Sequence, residues 1–469
     1  MSLIAAEQFD LLTREELLVL LKALLPEFAL LRQRVADLEA ENERLKQQLD
    51  KATNSRNSSQ PPSRDQKANQ AEPQPRKYGP PVGQAQSVRP LADVPDRVIQ
   101  VPVTECLQCL ADLSHIAPED FVRRQVTELP VARPLVIETR QHQVTCPHCL
   151  TLNRGILPAG LEAERYFGPQ LEATVVFYKQ TQHLSYERLV ETMRELHGVT
   201  LSEGALVAIL QRAGEKAAPV AAAIKHQVIT GAVIRSDETS ARVKGKNWWQ
   251  WVFISEHGAY HTIVPPRSFA EITTVRGGLA VKVWVSDCFS AQLKAPAAVF
   301  QLCLAHQLRD LQRVLDADPT AGWAQAVQKL LRGAIHLRHR FEDEELTPTG
   351  YLRRVTQIEN QLDRLLQEEL PLEAARKLQK RFRTHHDKLL TFLYYAEVPP
   401  TNNESEQALR GSVVHRKVTN GFRSEWGAKT YAALQTISAT AKQKGEQAFQ
   451  ALVDLMGIPV LPFLADSSP

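Results

Sequence analysis

Long apolar runs are missing from this 469-residue chain. No stretch approaches about 18 consecutive apolar residues, which excludes a membrane-spanning helix, and the N-terminus lacks the basic-then-apolar pattern of a secretion signal. The cytoplasm is therefore the expected compartment, and no membrane partner is expected. Cysteine is scarce as well. Six in this length cannot make a disulfide framework, and four of them fall into two C-x-x-C pairs, a usage that favours metal in a reducing compartment. An excess of one charge is also lacking, since the net charge is only +3. Its distribution says more. Residues 51–90 carry seven Lys/Arg against two acids, and 410–423 carry four against none. Such segments suit a phosphate backbone, although a solvated face has the same signature. The length exceeds one hydrophobic core and, at roughly 100 to 200 residues per domain, suggests three or so units.

The chain divides by pattern. Residues 1–50 read as an N-terminal helix, broken or restarted at Pro26, followed by a heptad seam of Phe28, Leu31, Val35, Leu38, Asn42, Leu45 and Leu49. In a parallel dimer this register sets Arg34 against Glu39 and Glu41 against Lys46, and Asn42 at an a position favours two strands. A homodimeric coiled coil is the expectation, and a helix packed on its own chain is the alternative. Residues 51–95 are rich in Ser, Asn, Gln and Pro and read as a flexible basic linker. Residues 96–160 hold Cys106 and Cys109 in ECLQC and Cys146 and Cys149 in TCPHC, separated by strand-like segments such as VTELP and LVIETRQHQVTC. Four thiolates suit a structural, tetrahedral Zn²⁺ with no open position. Cys288 and Cys303 sit in apolar surroundings and read as inert core thiols. Residues 161–226 read as helices, with Ser185 and Ser202 as caps and Gly198 as a stop. Helix-turn-helix DNA reading and plain helix packing are both open there.

From residue 227 to 460 the pattern is that of an α+β catalytic domain. GAVIRS, WWQWVFIS and AYHTIVP read as a strand meander, SFAEITTVRGG as a helix, VKVWVS as a strand, FSAQLKAP as a short helix and VFQLCLA as a strand. That order is the order of an RNase H-like mixed sheet, with first and fourth strands adjacent. Asp237 and Asp287 then end neighbouring strands, and Glu406 opens a later helix. Two such aspartates and a glutamate offer the hard oxygens that hold a pair of Mg²⁺ ions for phosphodiester chemistry. Residues 307–397 show helical spacing and read as an all-helical insertion, in which Trp323 is a core residue; 461–469 form a tail.

The heptads, NSSQPPSRD, the two knuckles, SDETS with WWQWVF, WVSDCF, QLCLAHQLRD and TNNESEQALRGSVVHRKVTNGFRS together resemble an insertion-sequence-66 (IS66-type) DD-E transposase over nearly the whole chain. The resemblance implies a bacterial, nucleoid-associated enzyme that uses two Mg²⁺ or Mn²⁺ ions per site. Its DNA partners would be the terminal inverted repeats of an insertion sequence and a target, whose strands it cleaves and joins, with accessory proteins of the same element as further partners. The family motif D-N-N-x-x-E-R-x-x-R places the catalytic glutamate at Glu406 rather than Glu404, and Thr401 and Gln407 depart from it. Asn402 and Asn403 are expected to cap the Glu406 helix, and His306, in a C-x-x-H feature, to support the site or the fold. Arg410, Arg416, Lys417 and Arg423 are candidates for the DNA backbone. A nuclease or resolvase without strand joining, and a domesticated DNA-binding protein, are the alternative readings.

Overall fold

The computed structural model describes residues 13–52, 90–129, 133–157, 166–265 and 267–457. Most of the expected linker and all of the 461–469 tail lie outside them. Helix α1 (Arg14–Ala52) is continuous, with Pro26 inside it, so the expected break does not occur. Proline removes one hydrogen bond and crowds the preceding turn, a cost that the long run of helix formers on both sides outweighs. Phe28, Leu31, Val35 and Leu38 of the seam are exposed, so they do not pack on their own chain. The side chains of Asn42, Leu45 and Leu49 lie outside the described residues.

In the cysteine module β1 (Gln143–Thr145) pairs antiparallel with β2 (Leu152–Arg154), and the second knuckle forms their turn. Among the described residues, this is the paired part of the segments expected as strands between the knuckles; Val126–Leu129 has no strand partner.

Helices α2 (Pro169–Gln180), α3 (Tyr186–His197) and α4 (Glu203–Ile229) follow. The hydroxyls of Ser185 and Ser202 accept the backbone N–H groups of Arg188 and Ala205, and Gly198 closes α3 in the left-handed conformation at φ +64°. The boundary expected at 226 is not a packing boundary. Leu189, Met193, Leu206 and Ile209 share one core with Leu434, Ile437, Leu452 and Met456 near the C-terminus.

The central sheet contains β3 (Val233–Val243), β4 (Lys246–Ser255), β5 (Gly258–Val264), β6 (Val281–Ser286) and β7 (Ala297–Leu302), with α5 (Phe269–Arg276) between β5 and β6. Its order is β5-β4-β3-β6-β7: an antiparallel meander, then two strands parallel to β3. The first and fourth strands of the sheet are neighbours, as the pattern predicts. The short helix expected in FSAQLKAP is present as a 3-10 turn at Gln292–Lys294, but Asp237 does not end its strand. β3 runs on to Val243 because the TSARV segment keeps pairing with β4, up to Val243 opposite Lys246. Lys244 and Gly245 turn that hairpin with φ +50° and +74°, the positive pair that matches strand twist in a two-residue turn.

Strand alternation sorts the core. Val233, Val283 and Val285 pack against the helical insertion, whereas Ile234, Trp251, Phe253 and Trp284 pack against the end of α4 and against α5. The insertion is all-helical, comprising α6 (Leu304–Ala317), α7 (Gly322–Glu342), α8 (Pro348–Gln367) and α9 (Glu373–Thr384) before two 3-10 turns. Trp323 is buried in its core. Three further helices follow among the described residues: α10 (Asn403–Thr419), α11 (Glu425–Gln443) and α12 (Ala448–Met456). Gly421 lets the exit of α10 dock on β3. Its φ is +107°, and a Cβ there would stand 2.5 Å from the Arg242 carbonyl oxygen, so only glycine admits the paired bonds between Phe422 and the backbone of Arg242 (2.7 Å) and Lys244 (2.9 Å). No described helix is long and apolar enough to cross a membrane.

Candidate active site

The parallel pairing of β3 with β6 ends at Arg235 opposite Val285. Asp237 and Asp287 each lie two residues further on, where β6 has stopped and β3 continues with β4 alone. Asp237 sits opposite Val252, and so on the sheet face that Val252 and Ile254 share with Leu409 of α10. Glu406 lies on the first turn of that helix. Burial, then the charges of Glu238, Asp287 and, last, Glu406, push the Asp237 carboxyl up to about 8, against one backbone N–H from Glu238. Asp287 and Glu406 therefore both lie within electrostatic reach of Asp237. The three acids do not form one tight ligand cluster: among the described residues, the metal-ligating side chains whose donor atoms all lie within 4.8 Å of one another are Cys303, His306 and Glu406.

Each acid is held differently. Asp287 Oδ1 accepts the Phe289 N–H at 2.9 Å, a turn that fixes the residue just past its strand. Arg309 Nη2 donates to both oxygens of Glu406, at 3.2 and 3.1 Å, and His306 Nδ1 stands 3.6 Å from Oε1. Glu404 is instead paired with Arg235 at 2.6 Å and is more exposed, so Glu406 is the acid of that helix that joins the aspartates' surroundings. Asn402 occupies the N-cap position but does not cap. Its backbone, at φ −101° and ψ 31°, is outside the extended geometry that lets a cap side chain reach its target. Asn402 Nδ2 donates to the Ser236 carbonyl at 2.8 Å, which ties α10 to β3, and its N–H donates to Cys303 Sγ at 3.1 Å. Asn403 is the exposed first residue of the helix, so neither asparagine plays the expected capping role.

Arg410, Lys417 and Arg423 are exposed on or just after α10. Arg416 is turned inward, its guanidinium donating to the carbonyl and hydroxyl of Ser240 on β3. It anchors the helix to the sheet.

Several residues of the site escape a reading of the sequence. Arg309 lies one helical turn beyond His306, and that i, i+3 spacing in HQLR is the signal that could have found it. Arg381, from the insertion, bridges Gln307 (2.9 Å) and Asp310 (2.6 Å) on α6. Glu238 falls on the opposite sheet face from Asp237, where Arg267 and Gln292 each hold it at 2.8 Å. Burial raises its carboxyl first, and the Asp287 charge adds to this. Around these groups the side chains of Arg235, His306, Arg381, Asn402 and Ser405 each leave a buried polar atom without a partner. Such atoms normally find one, so this concentration marks a site built for something besides the fold. Cys303 is buried, as expected of a core thiol, but it also forms part of the site's wall.

The cysteine knuckles repeat one geometry. Leu110 N–H donates to the Cys106 carbonyl and Cys106 N–H to Ala111, each at 3.0 Å; Leu150, Cys146 and Thr151 repeat this at 2.9 Å. Leu110 and Leu150 both have positive φ, 60° and 56°. A backbone N–H of Cys109 lowers the Cys106 thiol, and the Thr151 hydroxyl lowers that of Cys149. The donor chemistry of each pair suits zinc. The pairs remain apart, because no three of these four sulfurs come within ligand reach, so this arrangement does not assemble the expected four-thiolate site.

Residues 164–430 match the family model described as Transposase IS66 family. Residues 8–92 match a family of unknown function, DUF6444. The chain is also similar to a protein of Sinorhizobium fredii, "Uncharacterized protein y4hP", with 23% identity over 393 residues that cover 74% of this chain and 69% of the relative.

Proposed function

Because the chain belongs to the Transposase IS66 family, whose name makes DNA its substrate, we propose that it cuts DNA at the terminal inverted repeats of an insertion sequence and joins the 3′-hydroxyl ends to target DNA. The observation that carries this reading is that the charges of Asp287 and Glu406 both reach the buried Asp237 carboxyl just past the end of the β3/β6 pairing. The sheet order supports an RNase H-like core.

The donor set fits divalent cations. Burial first, then the charges of Glu238, Asp287 and Glu406, make an ionised Asp237 costly without a cation beside it, and hard oxygens select Mg²⁺ or Mn²⁺. Asp237, Asp287 and Glu406 would hold two such ions. Bound there, the ions supply activation of a water or 3′-hydroxyl nucleophile and charge neutralisation at the leaving oxygen. The protein's own residues do the remainder. Asn402 keeps Glu406 over β3, Arg309 orients the Glu406 carboxylate, and the exposed Arg410, Lys417 and Arg423 are placed to meet phosphates. The exposed seam of α1 supports a homodimer through that helix.

The test is metal-dependent cleavage of DNA bearing the element's terminal repeat, followed by joining of its 3′ end. Asp237→Ala should abolish both steps. Undiminished cleavage by that variant refutes the assignment, and cleavage without joining by the wild-type protein makes it a nuclease.

A further inference from the structure

Cys303, His306 and Glu406 match neither the set of three acids nor the cysteine knuckles. Cys303 stands at the N-cap of α6 and His306 in its first turn, so the C-x-x-H spacing brings both side chains toward the first turn of α10, where Glu406 lies. Their donor atoms all lie within 4.8 Å. His306 Nδ1 is 3.6 Å from Glu406 Oε1 and, although buried, has no hydrogen-bond partner. In a tetrahedral zinc site, bonds of about 2.0 to 2.3 Å set neighbouring donor atoms roughly 3.3 to 3.8 Å apart. The imidazole and carboxylate already have that spacing, and the sulfur needs to close by no more than about 1 Å.

We propose that Cys303, His306 and Glu406 form a site for a soft divalent cation of the Zn²⁺ class, which shares Glu406 with the magnesium site. Thiolate, imidazole and carboxylate together suit Zn²⁺ and not Mg²⁺, which takes oxygen ligands in octahedral geometry. Burial pushes the Cys303 thiol up, and the Asn402 N–H at 3.1 Å from Sγ offsets part of that, so the cation itself has to displace the thiol proton. Arg309 Nη2 holds both Glu406 oxygens, Oε1 at 3.2 Å and Oε2 at 3.1 Å, so a cation between Oε1 and His306 replaces the first of these contacts and leaves the second. Three protein ligands leave one position open to water. Binding follows from the geometry alone. Its consequence rests on the function proposed above: zinc withdraws Glu406 from magnesium and inhibits strand cleavage in competition with it.

The experiment is a Co²⁺ and Zn²⁺ titration of the full chain in excess Mg²⁺ without DNA, read by thiolate-to-cobalt absorption and by bound equivalents. Wild-type protein should bind one equivalent more than Cys303→Ser or His306→Gln, each of which should weaken that equivalent by about a hundredfold or more. Metal at the knuckles adds equally to all three proteins. Equal equivalents and affinity in wild type and either folded variant overturn the proposal, and if Cys303→Ser does not fold, His306→Gln decides alone. The readout involves no turnover, so an inactive protein still reports on the site. In cleavage assays Zn²⁺ should inhibit the wild type and spare Cys303→Ser; equal inhibition of both rejects the shared ligand.

Discussion

The sheet and the cysteine module treat their apolar residues in opposite ways. In β3, β4 and β6, Ile234, Trp251, Phe253, Val283 and Trp284 are buried completely. In the cysteine module, Val101, Val122, Val126 and Val136 all remain largely exposed, and order comes from two backbone-bonded knuckles and one short hairpin. The sheet holds itself together through side-chain packing, and it can therefore carry Asp237, a buried carboxyl raised by burial and by the acids near it. Among its described residues the module has no such core, so its order rests on backbone bonds more than on apolar contacts.

Six variants probe this contrast. Glu406→Gln should cost about a thousandfold in cleavage, the scale of losing an electrostatic element of the transition state. Glu404→Gln, whose carboxylate is tied to Arg235, should cost only a few-fold on that scale, and equal losses would undo the choice between them. Next in size is a pH effect. The Asp237 carboxyl is raised to about 8 in the folded protein, so between about 4 and 8 the folded state holds a proton that the unfolded state has lost. Stability without divalent ions should fall as pH rises through that window, by up to about 1.4 kcal/mol per unit. Asp237→Asn should remove the fall, stabilising the protein at pH 8 and not at pH 4; parallel denaturation curves at both values would contradict it. Asn402→Ala, which frees α10 from the Ser236 carbonyl, should lower unfolding stability by about 1 kcal/mol. Arg309→Ala removes a cation from Glu406 and should lower the Mg²⁺ concentration needed for half-maximal cleavage several-fold, about 1 kcal/mol for a partly exposed pair. The smallest change is expected from Cys146→Ser, which should shift the main melting transition by less than about 0.5 kcal/mol, because the knuckle contributes nothing to the buried cores. A large shift there would mean that the module does support the sheet.

Much of the sheet was legible because its signals are local. VKVWVS appears as β6 at its expected bounds, and Ser185, Ser202 and Gly198 act as read. The continuation of β3 past Asp237 was hidden because TSARV is polar in sequence and gains its strand character only by pairing with β4. The joint core of α3, α4, α11 and α12 joins residues more than 200 positions apart, which no periodicity reports. At the site, Asp237, Asp287 and Glu406 are singled out by pattern and resemblance, whereas the contacts of Arg309 and Arg416 depend on how α6, α10 and β3 face one another. Asn402 was assigned its position correctly and its contact wrongly, since a cap residue with non-extended backbone aims its amide elsewhere.

The sharing of divalent cations by residues 237, 287 and 406 can be read by iron substitution. With Fe²⁺ in place of Mg²⁺, ascorbate and peroxide generate radicals that cut the backbone beside the bound ion. Shared ions give cuts near Asp237, Asp287 and Glu406 that Mg²⁺ suppresses, whatever else is cut at the knuckles. Cuts near Cys303, His306 and Glu406 with none at the two aspartates would contradict that sharing.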